Sequence, residues 1–203
     1  NPKNILVIGG GDGGTAREVL KHKNVDKCTM VEIDGMVIDA CREFIPQTSH
    51  VFSNSKLDLI VGDGLDFVKN TKEKFDIIMV DSTDPIGPAG PLFDEEFYQD
   101  IYKCLSEDGI VVSQGESVYY EREMQQKLLG IISDIFPISQ IYNYNNMTYP
   151  GGLWSFVMGS KKYHPVDDFN PSLVAESGLK FDYYNTEIHR AAFALPSFMS
   201  ENL

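Results

Sequence analysis

The chain has 203 residues and 42% of them are hydrophobic, which predicts one domain with a core of ordinary size. Its formal net charge of −13 disfavours nucleic acid as a partner, because phosphate binding needs a basic surface, and it suits small cationic ligands instead. The sequence has no apolar run of about 18 residues and no leader-like amino terminus, so we expect no membrane span and a cytoplasmic protein.

The first part of the chain alternates strand-like and helix-like patterns. Residues 4–8 form a continuous apolar run, which is typical of a strand buried on both faces of a parallel sheet. Glycines follow at once, and residues 15–22 then carry apolar side chains at helical spacing. The same alternation predicts strands at 28–33, 57–61, 75–80 and 109–113, and a helix over 37–44.

The pattern changes after a long predicted helix over residues 121–136. Two strand-like runs, 139–144 and 154–159, are separated by a segment containing Pro150-Gly151-Gly152 that is too short for a helical crossover. These two strands should therefore pair antiparallel. The whole pattern predicts an α/β, Rossmann-like domain with a seven-stranded, mostly parallel sheet and one antiparallel strand near its edge. A short helix is predicted over 187–194.

Acidic residues follow the ends of four predicted strands. The first strand leads into a loop with glycines at positions 9, 11 and 14, a spacing that lets the backbone approach a nucleotide closely. Glu32 ends the second strand, where a carboxylate can accept hydrogen bonds from both hydroxyls of a ribose. Asp63 follows the third strand, where it can accept from an adenine amino group. Ligands of open α/β sheets bind beyond the carboxyl ends of the strands, so we expect Asp12, Glu32, Asp63 and Asp81 to share one site.

These motifs together resemble the spermidine synthase family of aminopropyltransferases. The resemblance rests on GGGDGG at 9–14, EID at 32–34, GDG at 62–64, DSTDPIGP at 81–88, QGE at 114–116, TYPG at 148–151 and YNTEIHRAAFALP at 184–196. It implies a class I methyltransferase fold and a transferase of polyamine biosynthesis. Such an enzyme moves an aminopropyl group from decarboxylated S-adenosylmethionine, a co-substrate, to putrescine, and it releases 5′-methylthioadenosine. No cofactor is implied, and the dispersed histidines and cysteines predict no metal.

The resemblance also implies roles for individual residues. The nucleoside site would consist of Gly9, Gly11, Asp12, Glu32, Asp63, Gly64 and Pro88. Within it, Asp12 would bind the amine of the aminopropyl group. Asp81 would be the catalytic acceptor of the proton, and Asp84, Tyr149 and Gln114 would contact putrescine beside it. Trp154 is expected to be a core residue rather than a platform for adenine.

Two expectations concern the charges of these acids. Asp84 lies three residues after Asp81, and repulsion between two neighbouring carboxylates raises the pKa of one of them. Asp12 would attract the decarboxylated nucleoside and repel the carboxylate of S-adenosylmethionine, which favours aminopropyl over methyl transfer.

Several alternatives stay open at this point. The fold also suits an S-adenosylmethionine-dependent methyltransferase of a diamine, a nicotinamide-dependent oxidoreductase or a non-catalytic subunit. Members of the family usually begin with a β-rich region that supplies further substrate contacts and helps to form the oligomer, whereas this chain starts at the first predicted strand. We therefore expect residues 1–203 to be the catalytic domain, in a homodimer or homotetramer.

Overall fold

The computed structural model describes residues 1–85 and 87–201, apart from the Pro88 side chain. The strands are β1 (Asn4–Gly9), β2 (Lys27–Glu32), β3 (Leu57–Val61), β4 (Phe75–Asp81), β5 (Leu105–Ser117), β6 (Ile138–Asn145) and β7 (Leu153–Ser160). The helices are α1 (Gly14–Leu20), α2 (Gly35–Phe44), α3 (Pro46–Ser49), α4 (Gly64–Asn70), α5 (Glu95–Cys104), α6 (Arg122–Ile135), α7 (Pro171–Glu176), α8 (Thr186–Ala192) and α9 (Ser197–Ser200). Two 3₁₀ segments cover His50–Ser53 and Gly87–Phe93.

The strands form a sheet in the order β3-β2-β1-β4-β5-β7-β6. β1 pairs in parallel with β2 and β4, and β2 pairs in parallel with β3. β6 and β7 pair antiparallel, with Ile138 opposite Ser160 and Asn145 opposite Leu153. The predicted seven-stranded, mostly parallel sheet with an antiparallel pair is confirmed.

The chain divides into two compact units, and the boundary between Val111 and Val112 lies within β5. In the first unit, Ile5, Leu6, Val7 and Ile8 are all at most 2% exposed. Successive side chains of a strand point to opposite faces, so both faces of β1 are covered. One side of the unit has a core of side chains from β1, α1, β2 and neighbouring segments, namely Ile5, Val7, Ala16, Val19, Val25, Cys28, Met30 and Val51.

In the second unit, α6 packs against β6 and β7. Leu128 and Ile132 on this helix are fully buried, which is the apolar stripe expected of a helix with one face in the core. A Cβ atom added to Gly159 on β7 would lie 2.8 Å from the Phe136 ring. Gly159 therefore allows the end of α6 to approach the strand closely.

Candidate active site

The glycine loop after β1 lies directly against the end of β4. Gly9, Gly10 and Gly13 have φ values of 82°, 69° and 82°, a left-handed region that favours glycine. Gly9 is paired in register with Asp81, and a Cβ added to Gly9 would lie 2.2 Å from the Asp81 carbonyl oxygen. The Gly10 N–H donates to that same oxygen at 2.9 Å. Glycine at position 9 is thus required for this close approach.

Asp81 ends β4, and its carboxylate is held by the segment that follows the glycine loop. Its Oδ2 accepts a hydrogen bond of 2.6 Å from the Thr15 hydroxyl at the start of α1. Surrounding protein atoms raise the pKa of Asp81 above its ordinary value of 3.8, although the side chain still reaches solvent. The hydrogen bond from Thr15 lowers this pKa, and the negative charge of Asp12 raises it. The repelling carboxylate that the structure identifies is therefore Asp12 rather than Asp84.

Three other acids of the first unit share a local arrangement. Each uses one carboxylate oxygen to accept a backbone N–H two residues further along the chain. Asp12 accepts from Gly14 at 3.0 Å, Glu32 from Asp34 at 3.0 Å, and Asp63 from Leu65 at 2.8 Å. These bonds fix the direction of each carboxylate. Asp63 is in addition the N-cap residue of α4, so it has a structural role as well as the predicted ligand role.

Glycines leave room beside these acids. Glu32 is only 8% exposed, and a Cβ added to Gly11 would lie 2.8 Å from Glu32 Oε2, so glycine there keeps the space beside this oxygen open. A Cβ added to Gly64 would lie 2.5 Å from Ile8 Cγ2, which shows that Gly64 lets α4 begin close to β1.

The predicted residues of the first unit lie at the ends of neighbouring strands. Asp63 follows β3, Glu32 ends β2, the glycine loop follows β1, and Asp81 ends β4, which are adjacent in the order β3-β2-β1-β4. Asp84 is exposed in the irregular segment beyond β4. The side chain of Pro88, to which a nucleoside contact was assigned, lies outside the described residues. Thr15, which contacts Asp81, was not among the predicted residues, and no motif marked it.

The second unit contains the two other predicted residues, Gln114 and Tyr149. Gln114 is buried near the end of β5, and its Oε1 accepts a hydrogen bond of 3.1 Å from Trp154 Nε1. Tyr149 lies 46% exposed in the turn before β7, and its ring stacks on Trp154 with 4.4 Å between ring centroids. Trp154 is 7% exposed, as expected of a core residue, but it also joins Gln114 to Tyr149.

Two further findings concern the described residues as a whole. Residues 1–85 and 87–201 contain no group of three or more histidine, cysteine or acidic side chains arranged to hold a metal ion. In the same part of the chain, no helix combines the length and the apolar character needed to cross a membrane.

The sequence is similar to a known protein family. Residues 1–170 match the family model described as the spermine/spermidine synthase domain. The polyamine aminopropyltransferase of Caldicellulosiruptor saccharolyticus is 46% identical over 201 residues, covering 99% of this chain and 71% of that protein. The polyamine aminopropyltransferase of Thermotoga maritima is 44% identical over 204 residues, covering 100% of this chain and 69% of that protein.

Solved structures resemble the whole chain as well. A crystal structure of spermidine synthase in complex with the transition-state analogue AdoDATO superposes with a TM-score of 0.97 at 44% identity, covering 100% of this chain and 70% of that one. The crystal structure of spermidine synthase from Thermotoga maritima gives a TM-score of 0.93 at 41% identity, with coverage of 100% and 68%. The predicted class I methyltransferase type of Rossmann-like fold is that of these structures.

Proposed function

We propose a specific reaction for this chain, which belongs to the spermine/spermidine synthase family: transfer of an aminopropyl group from decarboxylated S-adenosylmethionine to putrescine. A putrescine nitrogen attacks the methylene carbon bonded to the sulfonium. The carbon–sulfur bond breaks, and its electron pair goes to sulfur. The products are spermidine, 5′-methylthioadenosine and the proton that the nitrogen loses.

The observation that carries this proposal is the Asp81 carboxylate, which lies beside the glycine loop and has a raised pKa. Only the neutral amine has a lone pair on nitrogen that can attack carbon. Deprotonating an alkylammonium group with a pKa of ~10.4 at pH 7 costs about 4.6 kcal/mol. A carboxylate that accepts the proton while the new bond forms lowers this cost. The raised pKa makes Asp81 a stronger base than an ordinary aspartate, which suits that role.

A second carboxylate has a different task in this mechanism. A fixed negative charge close to the reacting nitrogen stabilises its ammonium form, so the group that anchors putrescine should bind the other nitrogen. We assign the distant ammonium group to Asp84, which is exposed three residues beyond Asp81. Gln114 and Tyr149 are assigned to the same diamine on the resemblance.

The nucleoside is assigned to the three acids whose direction is fixed by backbone N–H groups. One oxygen of each is used locally, and the other is the acceptor that we assign to the ligand: Glu32 to the ribose hydroxyls, Asp63 to the adenine amino group and Asp12 to the aminopropyl ammonium. The open space beside Glu32 Oε2, which Gly11 maintains, supports the ribose assignment.

Asp12 also bears on the choice between the two nucleosides. The carboxylate of S-adenosylmethionine would bring a negative charge toward Asp12, whereas the decarboxylated form brings only positive charge. Tighter binding of the decarboxylated form is therefore expected, and calorimetric titration with both nucleosides measures it. Equal affinities would contradict this role of Asp12.

The reaction is tested by incubating the chain with putrescine and decarboxylated S-adenosylmethionine and separating the products by mass. Spermidine and methylthioadenosine in equal amounts support the proposal. A methylated diamine formed from S-adenosylmethionine would instead identify a methyltransferase. A chain that binds both substrates without turnover would be a non-catalytic subunit.

Assembly and location are further proposals. We propose that residues 1–203 act as the catalytic domain of a cytoplasmic homodimer or homotetramer, in line with the resemblance stated above. Light scattering measures the mass of the assembly against 22.8 kDa for one chain. A mass equal to one chain at all concentrations would contradict the oligomer, and fractionation of cells that express the protein tests the location.

A further inference from the structure

A buried polar network surrounds the end of β5 in the second unit. Its members are Gln114, Glu116, Gln125, Trp154 and Ser155, each at most 9% exposed. Buried polar side chains are costly unless they are hydrogen-bonded, and a network with satisfied partners holds its members in one arrangement. We call this group the β5 network. The proposed reaction gives a role to Gln114 but none to Glu116.

The backbone of Glu116 is held in an unusual conformation. Its φ is 66°, and among the described residues it is the one non-glycine residue with a positive φ. Such a conformation is energetically unfavourable for a residue with a side chain, and it persists where the surroundings enforce it. Ser155 Oγ lies 2.7 Å from the Gly115 carbonyl oxygen and 2.9 Å from that of Glu116, and Gln125 Nε2 donates to Ser155 Oγ at 2.8 Å. These contacts hold the main chain at Gly115 and Glu116, and the Glu116 side chain lies in the interior at 2% exposure.

The network determines which way the Gln114 amide faces. An indole N–H can only donate, so the group that faces Trp154 Nε1 must be the Gln114 carbonyl oxygen. That oxygen also accepts from the Glu116 backbone N–H at 3.3 Å. The amide NH₂ of Gln114 is thereby turned to the Glu116 carboxyl group, to which it donates a hydrogen bond. Without this carboxyl group, the NH₂ would lack its buried partner.

The same contacts extend to the surface through Trp154. Its indole nitrogen is bonded to Gln114, and its ring is the surface on which Tyr149 stacks at an interplanar angle of 28°. Gly151 and Gly152 have φ values of 85° and 70°, which lets the turn bring Tyr149 back onto a residue five positions later. A half-exposed tyrosine thus lies on a buried tryptophan whose orientation depends on Gln114.

We propose that Glu116 is a positioning residue for recognition of the acceptor amine. It fixes the amide of Gln114 and, through the indole N–H of Trp154, the ring that supports Tyr149. The inference rests on the proposed function, in which Gln114 and Tyr149 contact putrescine. Glu116 acts through these side chains and not by its own contact with the diamine.

Steady-state kinetics of Glu116→Ala and Glu116→Gln test this role. The alanine variant should raise KM for putrescine about tenfold, the effect of losing one buried hydrogen-bond partner, and change KM for the nucleoside less than about twofold. The glutamine variant should stay within about threefold of the wild type, because its side-chain carbonyl can accept from Gln114. Glu123→Ala, an exposed acid on α6 of the same unit, is the matched control and should behave as the wild type.

A double-mutant cycle distinguishes an indirect role from a direct one. If Glu116 acts through Gln114, then adding Glu116→Ala to Gln114→Ala raises KM for putrescine no further. If Glu116→Ala has its full effect in that background, Glu116 contacts the diamine itself and the proposal is wrong. An unchanged KM for putrescine in Glu116→Ala, or a rise in both KM values together with a lower melting temperature, would also overturn it.

A fluorescence measurement separates this inference from the proposed reaction. Trp154 is the single tryptophan of the chain, so its emission reports on the β5 network without any substrate. The emission maximum of Glu116→Ala should differ from that of the wild type, while Glu116→Gln and Glu123→Ala should match the wild type. An alanine variant with unchanged emission refutes the positioning role even if spermidine is formed. Altered emission together with an absence of spermidine would instead reject only the reaction.

Discussion

Replacing Asp81 with asparagine separates the catalytic role of this residue from its structural one. Asparagine has the same shape, and its Oδ1 can still accept the 2.6 Å hydrogen bond from Thr15, so the end of β4 should keep its geometry. It cannot accept a proton from the reacting nitrogen. General-base catalysis contributes about 10²–10⁴ in rate, which equals about 2.7–5.5 kcal/mol of transition-state stabilisation. We expect kcat to fall by that factor.

The stability of the same variant should move in the opposite direction. The protein atoms around Asp81 partly remove its carboxylate from water and raise its pKa, which means that folding disfavours its ionised form. The contribution of Asp81 to stability is therefore fully present below the unfolded-state pKa, and it is lost as pH rises through the higher folded-state pKa. At pH 7 the ionised residue thus destabilises the fold, and the uncharged asparagine removes this cost. Asp81→Asn should melt at or above the wild-type temperature at pH 7.

Product formation in single turnovers and thermal unfolding by circular dichroism measure the two effects. Asp39→Asn changes an exposed aspartate of α2 in the same unit and should leave turnover unchanged. Turnover of Asp81→Asn within about threefold of the wild type would show that Asp81 is not the base. A melting temperature several degrees below the wild type would show that loss of structure explains the lower rate.

Three other substitutions in the first unit have distinct outcomes. Thr15→Val removes a hydrogen bond that lowers the pKa of Asp81, so this pKa should rise further. The acid limb of the kcat–pH profile should then move to higher pH. An acid limb that does not move would contradict the assignment of Asp81 as the base. Asp12→Asn should reduce the preference for decarboxylated S-adenosylmethionine over S-adenosylmethionine about tenfold or more in calorimetric titrations. The reason is the loss of one charge interaction of a few kcal/mol. An unchanged preference would rule out this role of Asp12. Gly9→Ala combines a φ of 82° with a contact of 2.2 Å and should lower the free energy of unfolding by at least about 2 kcal/mol in urea titrations. Gly87 also has a positive φ, of 62°, but a Cβ added there would have nothing within 4 Å. Gly87→Ala should therefore lower the free energy of unfolding by less than Gly9→Ala. Equal decreases would show that the contact of the added Cβ with the Asp81 carbonyl oxygen is unimportant.

Much of the sheet could be predicted from the sequence, because a strand such as β1 that is buried on both faces appears as a continuous apolar run. The continuous apolar run at 4–8 predicted β1 to within one residue, and the short connection at 150–152 predicted the antiparallel pairing of β6 with β7. Five helices were not predicted, namely α3, α4, α5, α7 and α9. The buried face of α5 consists of Phe97, Tyr98, Ile101 and Cys104, whose helical spacing can be found in the sequence, whereas α4 is short and has few apolar positions.

The limits at the candidate site have a different physical reason. The glycine spacing and the acids at strand ends are local features, so Asp12, Glu32, Asp63 and Asp81 could be identified without coordinates. The hydrogen bond from Thr15 to Asp81 spans 66 positions, and no local pattern encodes it. Similarly, Glu116 was part of a recognised motif, but its left-handed backbone and its bond to Gln114 depend on Ser155 and Trp154 in a later strand. Long-range side-chain contacts of this kind require the folded structure.

The loop after β1 and the end of β4 are joined by both main-chain and side-chain hydrogen bonds. The main chain of Asp81 is tied to Gly10 and its side chain to Thr15, so both ends of one short segment are anchored on the same residue. A substitution that distorts this segment is therefore expected to disturb the position of the proton acceptor as well. The conformation of residues 10–15 and the direction of the Asp81 carboxylate are in this way parts of one hydrogen-bonded unit.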